Sequence, residues 1–187
     1  MSMGRRVHAT VQEYLAVEAR SDLKHEYYDG EIFAMAGGTP EHAWLAGELI
    51  AALRRQLPSS CKVGSSDLRV SIERTGLLTY PDASVICGPP TFDARDPHAV
   101  TNPLLLAEVT SPSSEDYDRG EKLSHHKQIV ALASVIILSH TARRLTLVER
   151  TAQGWATREF RGGETAELLQ PSLRLEVDAL YAVTSIP

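Results

Sequence analysis

Cysteine is nearly missing from this chain: Cys61 and Cys87 are the full complement in 187 residues. They have no zinc-ligand spacing and cannot form the disulfide framework of a secreted mini-protein. Long apolar runs are missing too. The longest, Ile129 to Leu138, is interrupted by Ser134 and too short to cross a bilayer. Met1 to Val17 holds no hydrophobic stretch of the kind a secretion signal needs, so a cytoplasmic location with no membrane association is expected. There is no excess of positive charge. With 19 Lys and Arg against 24 Asp and Glu, the net charge is −5. That excludes coating nucleic acid by bulk charge and leaves a local basic groove open. The chain has no internal repeat, no low-complexity segment, no P-loop, no G-x-S-x-G elbow and no H-E-x-x-H. What is present is ordinary globular composition, 43% apolar and 23% charged. A single domain over 1–187 is expected.

The patterning reads as follows. Thr10-Val11-Gln12-Glu13 forms a capping box that opens a helix to about Ala19. Residues 24–28 and 31–36 read as a hairpin around Asp29-Gly30. Thr39 caps a second helix with Pro40 at its first position. Leu45, Leu49, Leu53 and Leu57 recur along it at helical spacing, and Pro58 ends it. Short strands are expected at 68–73, 77–80 and 82–87, with Gly76 turning the chain. Residues 88–103, rich in proline and poor in apolar residues, read as a surface loop whose Asp93, Arg95 and Asp96 are surface polarity. The run Leu104 to Thr110 reads as a strand covered on both faces. A helix capped by Asp116 or Asp118 should cross to about Ala133, before a strand at Val135 to Leu138. Further strands are expected at 144–149, 155–160 and 173–177, with a short helix near Asp178 to Tyr181. The expectation is an α/β fold with a mixed central sheet flanked by helices, including one strand–helix–strand unit with parallel strands.

Three residues stand out chemically. Glu108 sits inside an apolar strand, where an unpaired carboxylate costs several kcal/mol. Its partner should be a metal ion, a lysine or an arginine; a strand-end carboxylate reaching solvent is the plain alternative. Alternation sets Leu104, Leu106, Glu108 and Thr110 on one face. Asp82 opens another apolar strand after Pro81, where a turn aspartate capping local amides is the plain alternative. Two carboxylates on neighbouring strands can hold one hard divalent ion, with water and phosphate oxygens filling its other positions. Lys122 lies on the apolar face of the crossing helix with His126, and would lean toward the strand ends. It could steady an attacking water or a pentacovalent phosphate, or bury its stem and reach solvent. His125, His126, Lys127 and Arg119 give this helix a basic character that could touch a phosphate backbone but reads better as a solvated polar face. Ser111, Ser113 and Ser114 fit loop and capping roles better than those of nucleophiles.

Together these residues resemble the PD-(D/E)XK nuclease superfamily, and more closely the Uma-two family of restriction-endonuclease-like proteins. The matching stretches are Tyr28-Asp29-Gly30-Glu31-Ile32, Pro40-Glu41-His42 and Tyr80-Pro81-Asp82. The most specific is Glu108-Val109-Thr110-Ser111-Pro112-Ser113-Ser114, followed by Asp118-Arg119-Gly120-Glu121-Lys122-Leu123. The resemblance implies a restriction-endonuclease-like fold and a Mg²⁺- or Mn²⁺-dependent site that hydrolyses phosphodiester bonds in DNA. Asp82 and Glu108 would be the metal ligands and Lys122 the catalytic lysine. The superfamily usually places that lysine two residues after the acidic residue; Thr110 stands there in this chain. Glu31 would add a ligand or hold a metal-bound water, and His42 would touch phosphate or orient a carboxylate. A symmetric homodimer is expected for duplex cleavage. The alternatives are a catalytically inactive nucleic-acid- or protein-binding module on the same fold, and a metal-dependent hydrolase acting on another substrate.

Overall fold

The computed structural model describes residues 8–35 and 37–187. Part of the segment read for a secretion signal, and Ala36 of the expected hairpin, lie outside the described residues. Helix α1 (Val11–Glu18) begins with the capping box, the Thr10 side chain accepting from Glu13 N at 3.2 Å and Glu13 accepting in return. Strands β1 (His25–Tyr28) and β2 (Glu31–Ala34) form the hairpin. Asp29 and Gly30 both have positive φ, as this tight turn requires. Helix α2 (Pro40–Gln56) is capped by Thr39 and buries Leu45, Leu49 and Leu53. Then come β3 (Cys61–Ser65), β4 (Arg69–Ile72), β5 (Leu77–Thr79), β6 (Ala83–Cys87), β7 (Phe92–Asp93), β8 (Asp96–Val100) and β9 (Leu105–Val109). Two short helices, α3 (Glu115–Arg119) and α4 (Glu121–His126), lead to β10 (Ser134–Leu138). The chain closes with β11 (Arg144–Thr151), β12 (Gly154–Arg161), β13 (Thr165–Leu168), β14 (Leu173–Glu176) and α5 (Val177–Tyr181).

Instead of one central sheet there are two six-stranded mixed sheets and a separate hairpin of β13 and β14. One sheet runs β2-β1-β5-β4-β8-β7 and the other β12-β11-β10-β9-β6-β3. In the second, β9 and β10 pair in parallel across the α3–α4 crossing, as the apolar runs implied. The facing sides of the two sheets share one core: Val70, Ile72 and Leu77 pack with Leu106, Val135 and Ile137, joined by Leu123 of α4 and by Ile129 and Leu132. On the far side of the second sheet, Leu105, Ala107 and Val109 pack with α2, α5 and the β13–β14 hairpin. On the far side of the first, Tyr14 of α1 packs with Leu78 and Ala99. Strands β3 and β13, which the sequence did not signal, carry few apolar residues. Cys61 and Cys87 face each other across β3 and β6 and form a disulfide.

The sequence expectations need correction at the crossing helix and at 88–103. The crossing helix is broken at Gly120 and ends at His126; its first half starts after Ser114, whose side chain makes no capping hydrogen bond, and neither Asp116 nor Asp118 is its cap. A Cβ at Gly120 would lie 2.8 Å from the Asp116 carbonyl oxygen, so glycine is what permits the break. His125 and His126 are buried and do not form a solvated face. The segment 88–103 is not a surface loop: β7 and β8 form a hairpin, and β8 joins β4 in parallel. Proline masked the strands, yet Asp93 and Asp96 are buried. Asp96 meets Arg69, whose guanidinium also reaches Glu18 at 3.3 Å, so α1, β4 and β8 are tied together.

Asp93 accepts from Arg95 at 2.7 Å and from Ser71. The Arg95 hydrogen bond is the main cause holding its carboxyl well below the usual carboxylate range, against the opposing effect of burial. A lowered value in the fold stabilises it above the unfolded carboxylate pKa of about 3.9, and this stabilisation is lost as pH falls toward the folded value. Asp93→Asn should therefore cost about 1–3 kcal/mol at neutral pH. It should also flatten the acid limb of the stability curve, as urea unfolding across a pH series would reveal. An unchanged acid limb would show that Asp93 does not carry it.

Candidate active site

Strand register sets the centre. Ala83 pairs with Ala107 on antiparallel β6 and β9, so Asp82, one residue before β6, stands opposite Glu108. Residues opposite each other on an antiparallel pair project to the same side. Here that side is the one shared by Leu106 and α4. Both carboxylates line a cavity of about 410 Å³ together with Glu26, His42, Tyr117, Asp118, Lys122 and the Ser111–Ser114 loop. Asp82 Oδ2 accepts from Val109 N at 2.7 Å and lies 3.2 Å from His42 Nε2. The Thr39 cap that starts α2 is what brings His42 to this point.

Lys122 Nζ lies 3.0 Å from Glu108 Oε1, 3.3 Å from Glu26 Oε1 and 3.7 Å from Asp118 Oδ1. Its side chain is 6% exposed, so this ammonium has exchanged water for three carboxylates. Burial alone would lower its pKa; the charges of Glu108, Glu26 and Asp118 more than reverse this and hold it above the ordinary value. The surplus of negative charge falls on the carboxylates. Burial pushes the Glu108 carboxyl well up, with Asp82 and Asp118 adding to the effect and Lys122 opposing it. Asp118 is raised likewise by burial. His42 is raised, first by its hydrogen bond to Asp82. His126 Nε2 is 3.7 Å from Glu108 Oε1, and burial followed by the Lys122 charge drives it well below its ordinary value, so the ring is neutral.

Glu108 Oε1 is buried and, despite the nearby ammonium, lacks a hydrogen bond of good geometry. Two carboxylates on adjacent strands, one of them with an oxygen short of a partner, are the donor chemistry that suits a hard divalent cation. Among the described residues no three His, Cys, Asp or Glu side chains converge as a complete ligand set. A hard ion such as Mg²⁺ needs only one or two protein carboxylates when water and phosphate complete its shell.

A family model described as "Putative restriction endonuclease", Uma2, matches residues 11–179. The chain belongs to the Uma2 family. It is 35% identical to the uncharacterised Synechocystis protein slr1290 over 172 residues, covering 91% of this chain and 90% of that one. It is 30% identical to the uncharacterised Synechocystis protein sll1609 over 161 residues, covering 85% and 90% respectively. A crystal structure described as a putative nuclease belonging to DUF820, from Anabaena variabilis, superposes with a TM-score of 0.71 at 15% identity. That superposition covers 92% of this chain and 97% of the other, and it shows a shared fold. Within this Uma2 chain, no described helix is long and apolar enough to cross a membrane.

Of the residues singled out in sequence, Asp82, Glu108, Lys122 and His42 share the cavity. Glu31 does not line it: the residue sits exposed at the start of β2, while Phe33, Ala34 and Met35 further along reach the cavity wall. The acidic residue that the hairpin delivers is Glu26 on β1, buried and accepting from Thr79 and, at 3.4 Å, from Tyr117. Its signal was available in His25-Glu26-Tyr27-Tyr28, where a carboxylate sits inside a strand flanked by aromatic rings, just as Glu108 sits among aliphatic ones. Asp118, read only as a helix cap, is the other overlooked member. Lys122→Met should lower stability by about 3–5 kcal/mol, because it leaves buried carboxylates without their cation. Adding Glu108→Gln should recover part of the loss. Strict additivity of the two changes in urea unfolding would contradict the pairing.

Proposed function

We propose that the chain is a Mg²⁺- or Mn²⁺-dependent endonuclease that hydrolyses phosphodiester bonds in DNA. The observation that carries this reading is the pairing of Asp82 and Glu108 across adjacent strands, with the Lys122 ammonium 3.0 Å from Glu108. Membership of the Uma2 family and the nuclease fold support the same class. In this reading Asp82 and Glu108 hold the ion. Bound there, it would acidify the attacking water and act as a Lewis acid on the scissile phosphate. The Val109 amide and His42 fix the orientation of Asp82. Lys122 keeps its proton and presents fixed positive charge where negative charge develops on the phosphate. Glu26 and Asp118 hold that ammonium in place, and neutral His126 packs beside Glu108. For duplex DNA the reading includes a homodimer, which supplies one centre per strand.

Calorimetry with Mn²⁺ or Mg²⁺ on the wild type and on Glu108→Gln tests the metal. The expected result is binding that is lost in the variant, which removes the charge and keeps the shape. Cleavage of labelled DNA tests the chemistry: Asp82→Asn and Glu108→Gln should each abolish it while circular dichroism is retained. A double variant that cuts at the parental rate would overturn the assignment. A folded wild type that neither binds the ion nor cuts DNA would point to a non-catalytic nucleic-acid- or protein-binding module.

A further inference from the structure

Beside the acidic centre lies a cluster of opposite charge that the proposed chemistry does not use. It forms where β9 and β10 end and β11 begins, covered by α3. Arg119 of α3 donates through Nε to Glu115 Oε1 at 3.0 Å and through Nη1 to Thr146 Oγ1 at 3.1 Å. Arg144 of β11 donates to the same Glu115 oxygen at 3.4 Å and to Ser139 Oγ at 3.5 Å. His140 Nδ1 lies 2.9 Å from Thr110 Oγ1 and 4.0 Å from Glu115 Oε2. Two guanidinium groups therefore converge on one carboxylate oxygen. Their remaining donors are not all used: Arg119 Nη2 and Arg144 Nε are buried without a hydrogen-bond partner.

A buried guanidinium donor left unpaired is costly, and a structure that leaves two side by side is short of acceptor oxygens. Two arginines against one glutamate also leave a net positive charge, next to a cavity with a surplus of negative charge. Glu115 offers both arginines the same single oxygen, whereas a phosphodiester can set its two non-bridging oxygens against separate forks, a geometry the planar guanidinium suits. Glu115 is the first residue of α3 and its side chain is 29% exposed, so it can swing out. The location ties the cluster to the centre. Thr110 follows Glu108 by two residues on the same face of the strand, about 7 Å along it.

We infer that Arg119, Arg144 and His140 form a phosphate subsite, closed in this structure by Glu115, that holds a phosphodiester of the bound strand next to the one cleaved. The inference rests on the nucleic-acid reading of the acidic centre. Glu115 acts as a latch: it occupies the two forks in the absence of substrate, and a strand phosphate displaces it.

The test is fluorescence anisotropy with a labelled single-stranded DNA oligonucleotide under chelating conditions, across a salt series. Arg144→Gln and Arg119→Gln should each weaken binding about tenfold and reduce the salt slope by about 0.7 per lost phosphate contact. Glu115→Gln should bind more tightly than the wild type, by severalfold. A purely structural ion-pair cluster predicts the opposite for Glu115→Gln: lower thermal stability and no gain in binding. Arg144→Lys, which keeps the charge but loses the fork, should bind with intermediate affinity and serves if the glutamine variants do not fold. Unchanged affinity and slope in folded arginine variants, with a wild type that binds and cuts DNA, would overturn the subsite and leave the nuclease reading standing. A wild type that binds neither this strand nor its duplex, with or without Mg²⁺, and cuts neither would bring down both. An effect confined to 5′-phosphorylated strands would overturn the assignment to an internal phosphodiester.

Discussion

A single buried ammonium organises this molecule. Lys122 touches carboxylates from β1, β9 and α3, so one charge joins the first sheet, the second sheet and the crossing between them. Such a group is tolerated in the interior only because the anions around it outnumber it, and those anions are tolerated only because it is there. The dependence runs both ways through the fold. Glu26 is buried on β1 because Lys122 and Thr79 meet it, and Glu108 can occupy an otherwise apolar strand because the ammonium approaches from α4. The site is thus part of the core that joins the two sheets, continuous with Leu106, Ile137 and Leu123.

Legibility in the sequence followed burial pattern. Helices α1 and α2 announced themselves through caps and apolar spacing, and β9 through an unbroken apolar run with one carboxylate out of place. Asp82 and Glu108 were visible for that reason: a charge in an apolar strand is an anomaly that needs an explanation. Glu26 posed the same anomaly among aromatic residues, but the Asp-Gly turn beside it pointed to Glu31, which lies exposed at the start of β2, short of the cavity that Phe33 and Met35 line. The segment 88–103 misled because proline usually marks loops, whereas Pro97 sits within β8, a strand paired with β7 and β4. Pairings between distant segments carry no local signature. The two-sheet division, the Cys61–Cys87 bond and the convergence of α3 with β11 depend on such pairings.

The distribution of charge would reconcile an acidic chain with the polyanionic substrate proposed for it. Overall charge governs long-range attraction, and at −5 it offers little. Short-range recognition depends on where the cations sit. Here they lie beside the carboxylates, in a cluster bridged by one glutamate. A protein built this way would avoid indiscriminate binding to nucleic acid and expose its basic groups only to a ligand able to displace that glutamate.

The break at Gly120 has a geometric consequence. On a continuous helix, residues three apart lie near one another on a shared face. Arg119 and Lys122 are three apart, yet the interruption sends the first toward β11 and the second toward β9. The separation of the two cationic groups is therefore set by the main chain as well as by the two side chains. In the proposed reading, a change in the backbone around Gly120 would alter the step between them. The glycine acts as the ruler of the site.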